Sequence, residues 1–330
     1  MNTTTKARLV DLAHAAGVST ATVSRVLNGK PGVRSDTRDA VHAAVAALNY
    51  PLDRPARRRG PVAIMTGELS NPSFAAFAEM ADTLLYSAGV PNFVCPAGPS
   101  GTSEQQHLDT LLTMDIAGIV SISGMPANNT LPLEPYQRVL AAGIPAVFIN
   151  SPSQELNAGF YSTSDAEAVA SSVAHLRQLG HTRIGLAVGP DRFLPARRKV
   201  AAFRTLGFDE ESLEMTQFTA EGGQVATARL LASGHTAIVC GSDLMALGAI
   251  REARGRGLRV PEDLSVVGFD DSPLMAFTEP ALTTVRQPVR AIVSAAIAAL
   301  LRSMDGTPLD TTEVLFHPDL IIRRSTAPAP

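Results

Sequence analysis

The chain has 330 residues, 45% of them hydrophobic, with 28 Lys and Arg, 31 Asp and Glu, and a net charge of −3. That length fits about two domains of roughly 150 residues each, with ample apolar content for packed cores. The polar opening Met1 to Lys6 is unlike a signal peptide, no apolar run approaches the ~20 residues of a membrane span, and two isolated cysteines, Cys95 and Cys240, read as small buried residues rather than a disulfide framework or metal site.

Residues 6–51, KARLVDLAHAAGVSTATVSRVLNGKPGVRSDTRDAVHAAVAALNYP, read as three short helices. Val10, Leu12 and Ala13 open an apolar face. Ala15-Ala16-Gly17-Val18 makes a turn in which Gly17 can take positive φ. Ser19 is placed to cap the next helix, Thr20 to Leu27, and Asn28-Gly29 ends it. Val23, Val26 and Leu27 share one side of that helix and leave Thr20, Ala21, Ser24 and Arg25 outside. A third helix starts near Ser35, with Val41, Ala44, Val45 and Leu48 at helical spacing. Helix, glycine turn, helix is the unit whose second helix enters the DNA major groove. Residues 1–60 hold ten basic and four acidic side chains, net +6 against −9 for the remainder, so the basic end coincides with that unit.

Residues 51–61, PLDRPARRRGP, form a linker. Beyond it, the runs VAIM, FVCPA, GIVSIS, AVFIN, RIGLAVG, AIVCGS and LSVVGFD read as buried parallel strands. Between them lie amphipathic stretches, Phe74 to Gly89, Gln105 to Asp115, Tyr136 to Gly143, Asp165 to Gly180, Lys199 to Gly207, Val225 to Ser233 and Leu244 to Gly257. Most end in glycine, the mark of repeated αβ units. Two sets of such units give two doubly wound lobes, with ligand expected beyond the carboxyl ends of the strands.

The string VSTATVSRVLNG, between DLAHAAG and TRDAVHAAVAALNY, resembles the DNA-binding headpiece of the lactose/galactose repressor (LacI/GalR) family. The resemblance continues through GSDLMALGAIREARGRGLRVPEDLSVVGFDDSPLMAFTEPALTTVRQP, residues 241–288, and covers nearly the whole chain. It implies a small all-α helix-turn-helix headpiece (1–50), a short basic hinge (51–61) and an α/β two-lobed periplasmic-binding-protein-like effector domain (62–330). Lobe 1 would take 62–160 and 288–313, and lobe 2 would take 161–287 and 314–326, with three crossovers.

The resemblance also implies site residues. Thr20 and Ala21 would be the pair that selects operator bases, and Arg25 could fork onto guanine O6 and N7. Thr22, Ser24, Asn28, Thr37 and Tyr50 would contact phosphate or sugar. Ser19 can serve as helix cap and DNA contact together, while Tyr50 is equally readable as a cap on the headpiece core. The linker departs from the family: Arg57, Arg58 and Arg59 replace a hinge helix with a Leu wedge, and Arg59 stands at the Leu position. Such a run suits a narrow minor groove, or serves as a basic tether along phosphates. In the cleft, Ser73 and Phe74 lie in the loop after the first strand, Asn150 ends AVFIN, and Lys199 stands where the family has an arginine. Phe218 is an aromatic platform, Asp270 an acceptor for ligand hydroxyls, and Gln287 a crossover residue. Asp243 reads as a helix cap.

These features imply a homodimeric transcriptional regulator, a repressor in the leading reading, cytoplasmic and nucleoid-associated. Its partners would be double-stranded, near-palindromic DNA and a small-molecule effector, a sugar or sugar derivative. A nucleoside acting as corepressor would use the same aromatic and polar groups. A transport-type binding protein would need a signal peptide and no DNA-binding unit. Seven scattered His and no HExxH, GxSxG or P-loop string argue against an enzyme. No metal, cofactor or membrane association is expected. The STAPAP ending carries no leucine heptad, so dimers rather than tetramers are expected.

Overall fold

The computed structural model describes residues 9–27, 33–48, 60–98 and 103–330, and the chain divides into two compact units, 1–58 and 59–330. In the first, α1 (Leu9–Ala15), α2 (Thr20–Leu27) and α3 (Ser35–Ala47) close around Leu12, Ala13, Val23, Val26, Val41 and Ala44. Gly17 turns the chain at φ +63°, and the Val18 N–H returns to the Ala13 carbonyl. Ser19 caps α2 by accepting the Thr22 N–H at 3.1 Å. Val10, expected on the apolar face, is 64% exposed because the buried face is centred on Leu9, Leu12 and Ala13 and Val10 lies outside it on α1.

The second unit holds two six-stranded sheets. In lobe 1, β1 (Val62–Thr66), β2 (Asn92–Pro96), β3 (Gly118–Ile122), β4 (Ala146–Ile149), β5 (Gly159–Thr163) and β11 (Glu313–Phe316) pair in parallel in the order β11-β5-β4-β3-β1-β2. Lobe 2 has β6 (Ile184–Val188), β7 (Leu213–Met215), β8 (Ala237–Cys240), β9 (Ser265–Asp270), β10 (Thr283–Arg286) and β12 (Asp319–Ile321). Their order is β12-β10-β9-β8-β6-β7, with β12 antiparallel to β10. The central strands are buried along their whole length because helices cover both sheet faces.

On lobe 1, α4 (Pro72–Ser87) and α11 (Val289–Met304) pack one face, and α5 (Glu104–Leu111) and α6 (Glu134–Ala141) the other. On lobe 2, α7 (Asp165–Gln178) and α8 (Leu194–Thr205) lie opposite α9 (Ala220–Ala232) and α10 (Asp243–Gly255). The last two cross closely through glycines. A Cβ on Gly223 would meet the Met245 carbonyl at 2.1 Å, and one on Gly248 the Ala220 carbonyl at 1.9 Å.

Boundaries differ from the sequence reading in four places. Strand β5 runs to Thr163 and β11 to Phe316, so the first and third lobe crossings fall about three residues later than 160 and 313. The second crossing is at Gln287-Pro288. Residues 60–61 already join lobe 1: the Pro61 carbonyl accepts the Ala117 N–H at 2.9 Å, and a Cβ on Gly60 would strike the Asp115 carbonyl. Helix α8 begins at Leu194, five residues before Lys199, because Pro195 is compatible with a first turn.

After β12 the chain forms a strap across the base of lobe 2. The buried Ser325 donates its hydroxyl to the Val266 carbonyl at 2.6 Å and accepts the Thr283 N–H at 2.8 Å. The Ala327 N–H reaches Ser265 and the Ala329 N–H the Leu179 carbonyl.

Candidate functional site

In the helical unit, burial of Val23 and Val26 leaves Thr20, Ala21 and Arg25 exposed on α2, with Thr22 and Ser24 half-buried beside them. The Ser19 hydroxyl also contacts that of Thr22 at 2.9 Å, which fixes the first turn. Thr37 is half-buried in the first turn of α3. Asn28, Tyr50, Arg57, Arg58 and Arg59 lie outside the described residues.

In the second unit the strand ends of both lobes enclose a cavity of about 580 Å³. Four backbone positions at its strand ends take positive φ, namely Ser123 (50°), Asn150 (55°), Asp270 (121°) and Asp271 (54°). Such conformations cost energy and persist where the surroundings impose them. Ser123, Asn150 and Asp270 line the cleft, while Asp271 pairs with Arg286 and Arg323. Asp270 Oδ1 accepts from the Ser73 hydroxyl at 3.0 Å and from Gln287 Nε2 at 2.7 Å. Gln287 Oε1 accepts from Asn150 Nδ2 at 3.0 Å and the Thr163 hydroxyl at 2.7 Å, and Asn150 Oδ1 accepts the Thr163 N–H. Five residues from both lobes and from two crossings thus form one polar cluster. Thr66 also lines the cavity, and its buried hydroxyl has no protein partner.

Four carboxyls at or beside the cleft are raised, with burial the largest cause in each: Glu104, Asp165, Asp243 and Asp270. Burial and the charge of Asp243 push Asp270 up to about 7, and burial pushes Asp243 up to about 6. Asp243 is not the helix cap. Ser242 caps α10 through the Met245 N–H, and Asp243 accepts the Ser272 N–H at 2.7 Å and the Thr284 hydroxyl at 2.5 Å. It thereby fixes the loop that carries Asp270.

Five phenylalanines line the walls, Phe74, Phe77, Phe193, Phe218 and Phe269. Phe74 covers Gly67, and Phe218 lies against Gly189 and Gly241, where any Cβ would collide with or crowd its ring. Phe193 meets Phe218 at 6.1 Å between centroids. Lys199 is among the lining residues, yet it is only 3% exposed; its ammonium pairs with Asp165 and lies 3.9 Å over the Phe269 ring. The neighbouring Arg198 forks onto Glu313 of the other lobe at 2.7 and 2.6 Å. Glu104, Asn128 and Arg192 also line the cavity and were missed in the sequence, as was the bond of Thr163 to Gln287. Ser103 and Gln106 form a capping box around the start of α5, which marks the helix that carries Glu104 but not its place in the cleft.

Among the described residues no group of three His, Cys, Asp or Glu could hold a metal ion, and no helix is long and apolar enough to cross a membrane. Residues 8–51 match the family described as bacterial regulatory proteins, lacI family, and residues 173–326 match the periplasmic binding protein-like domain. The HTH-type transcriptional regulator MalR of Streptomyces coelicolor is 47% identical over 337 aligned positions, 98% of this chain and 97% of that protein. The chain belongs to the LacI family. A more distant relative, the HTH-type transcriptional repressor CytR of Escherichia coli, is 32% identical over 99% of this chain and 98% of its own. Among solved structures, the transcriptional regulator CelR–cellobiose complex aligns with TM-score 0.72 at 28% identity, covering 97% of this chain and all of the other. The lac repressor dimer bound to operator and an anti-inducer aligns with TM-score 0.71 at 28% identity, covering 98% and 100%. Like these LacI-family relatives, the chain is a DNA-binding transcriptional regulator and not an enzyme.

Proposed function

We propose that this regulator is a homodimeric cytoplasmic repressor whose operator affinity is set by a sugar bound in the interlobe cleft. The observation that carries the reading is the Asp270–Gln287–Ser73–Asn150–Thr163 cluster, which ties two lobes and two crossings at one end of an aromatic-lined cavity. Carboxylate, amide and hydroxyl groups beside aromatic faces match a polyol, whose hydroxyls need acceptors and whose C–H faces need flat apolar surface. The CelR structure holds cellobiose and the lac repressor structure is a dimer on operator, which supports the same reading here. Thr20, Ala21 and Arg25 would read bases, and two headpieces would read two half-sites.

A thermal-shift panel of sugars, sugar phosphates and nucleosides, followed by operator gel shifts with each hit, tests this. At about 100 times its dissociation constant a true effector adds ~2.7 kcal/mol of stability. A sugar that stabilises the protein and changes operator affinity is expected. Response to a nucleoside alone would move the effector to that class.

A further inference from the structure

Helix α8 of lobe 2 carries two adjacent cations, and each is paired beside a crossing between the lobes. Lys199 pairs with Asp165, the first residue of α7, which follows β5 through the first crossing. Arg198 forks onto Glu313, the first residue of β11, through Nη1 at 2.7 Å and Nη2 at 2.6 Å. Asp165 is attracted by both cations and repelled by Glu313, so the four charges act as one group of alternating sign.

The two pairs differ in what they join. Lys199 and Asp165 both belong to lobe 2, so lobe movement leaves their bond in place. Both are buried, and breaking them apart would strand a charge in the interior. Arg198 and Glu313 belong to different lobes, so their bond must open if lobe 2 turns away from β11. Their side chains are 31% and 20% exposed, which lets water take over each charge once the fork opens. Other contacts between the lobes, from the Ser73 hydroxyl to Asp270 and from the Asn129 N–H to the Arg192 carbonyl, use a single hydrogen bond each. A guanidinium–carboxylate fork places two charge-assisted bonds in one plane and fixes orientation as well as distance.

We propose that the Arg198–Glu313 fork is a reversible lock on lobe movement, with the Lys199–Asp165 pair as its fixed anchor. The fork opens when the lobes part and re-forms when they meet, and its strength sets the balance between the two arrangements. The lock acts whatever molecule occupies the cleft, so it does not rest on the sugar reading.

Hydrogen-exchange mass spectrometry on the full chain, with no small molecule added, tests it at a distance. Glu313→Gln removes the charge and keeps the shape. The readout is the Asn129 N–H, which bonds across to lobe 2 from the loop after β3. In the sheet order, β3 stands three strands from β11, about 14 Å at ~4.8 Å per strand. Exchange at Asn129 should speed up about tenfold in Glu313→Gln, with the amides of α11 and β6 unchanged. Arg198→Met should give the same rise, and the double variant no more than either single one. Because the neighbouring Arg197 donates to the Asp191 and Arg192 carbonyls, the Glu313 variant carries the test. Faster exchange confined to β11 and β5 would make the fork a local staple and overturn the lock. A uniform rise through both lobes would reduce it to general stability and overturn it too. So would unchanged exchange at Asn129, or a double variant that adds the two single effects.

Discussion

The helical unit and the cleft recognise their partners through opposite designs. The unit presents Thr20, Ala21 and Arg25 from one turn and a half of a single helix, above a small core with six buried residues among those described. The cleft gathers Ser73, Asn150, Thr163, Asp270 and Gln287 from five places, and the Ser73–Asp270 bond spans 197 positions of sequence. A contiguous surface is cheap to build but rests on little packing. A dispersed one needs two complete sheets to hold it, and so can respond when they move. The difference predicts that damage to one will spare the other.

The largest break should come from the small core. Leu12→Ala empties the centre of six residues and should cost about 2–5 kcal/mol, enough to unfold a unit of this size. Operator binding should vanish in gel shifts while calorimetry shows unchanged effector affinity. Asp270→Ala reverses the pattern. It removes a carboxylate that accepts two hydrogen bonds, each charged bond contributing about 1.5–3 kcal/mol, so effector binding should collapse with operator affinity intact. Unchanged effector affinity in that variant would place the ligand elsewhere.

Changing Arg57, Arg58 and Arg59 together to Ala sharpens the comparison at the linker. The slope of operator affinity against salt should fall by about 0.9 for each DNA phosphate that these arginines neutralise, in fluorescence anisotropy titrations at graded salt. Arg25→Ala should cost about 1–3 kcal/mol on the cognate operator and relax one base position in a footprinting selection. Identical base preference before and after would remove α2 from readout.

A further contrast appears with pH. Asp270 is raised to about 7 in the fold, against an ordinary value near 4. The native state therefore binds the proton more tightly, so its contribution to stability is complete below about 4 and is lost as pH rises through about 7. Effector hydroxyls donate to the ionised form, so effector affinity should rise as pH climbs from about 6 to 8. Asp270→Asn should flatten both profiles in calorimetry and thermal melts.

The same contrast governs what could be read from the sequence. The helix-turn-helix was legible because Leu12, Gly17, Ser19, Val23 and Val26 carry periodicity, turn and cap within fifteen residues. The strands of both sheets were legible where apolar runs are bounded by glycine. Strand β5, GFYST, was not, since Ser162 and Thr163 break its apolar pattern. Nor was α11, whose sixteen residues are apolar on nearly every side because β3, β4, β5 and α4 surround it. Asp270 and Gln287 could be placed from family likeness alone. Glu104, Asn128 and Arg192 could not, because their meeting depends on how two lobes close. Lys199 showed a charge at the right position but not that Asp165 neutralises it.

The three crossings have a consequence for synthesis on the ribosome. The core of lobe 1 includes Ile292, Val293, Ala296, Ile297 and Leu300 of α11, and its sheet is closed by β11 at Glu313–Phe316. The lobe that begins at residue 60 therefore cannot bury its interior until nearly the whole chain has left the exit tunnel. The helical unit, complete within its first 58 residues, can fold far earlier. A nascent chain stalled before residue 289 should carry a folded DNA-binding end and an open first lobe. Truncation at the carboxyl end should destabilise the amino-terminal lobe more than its position in the sequence suggests.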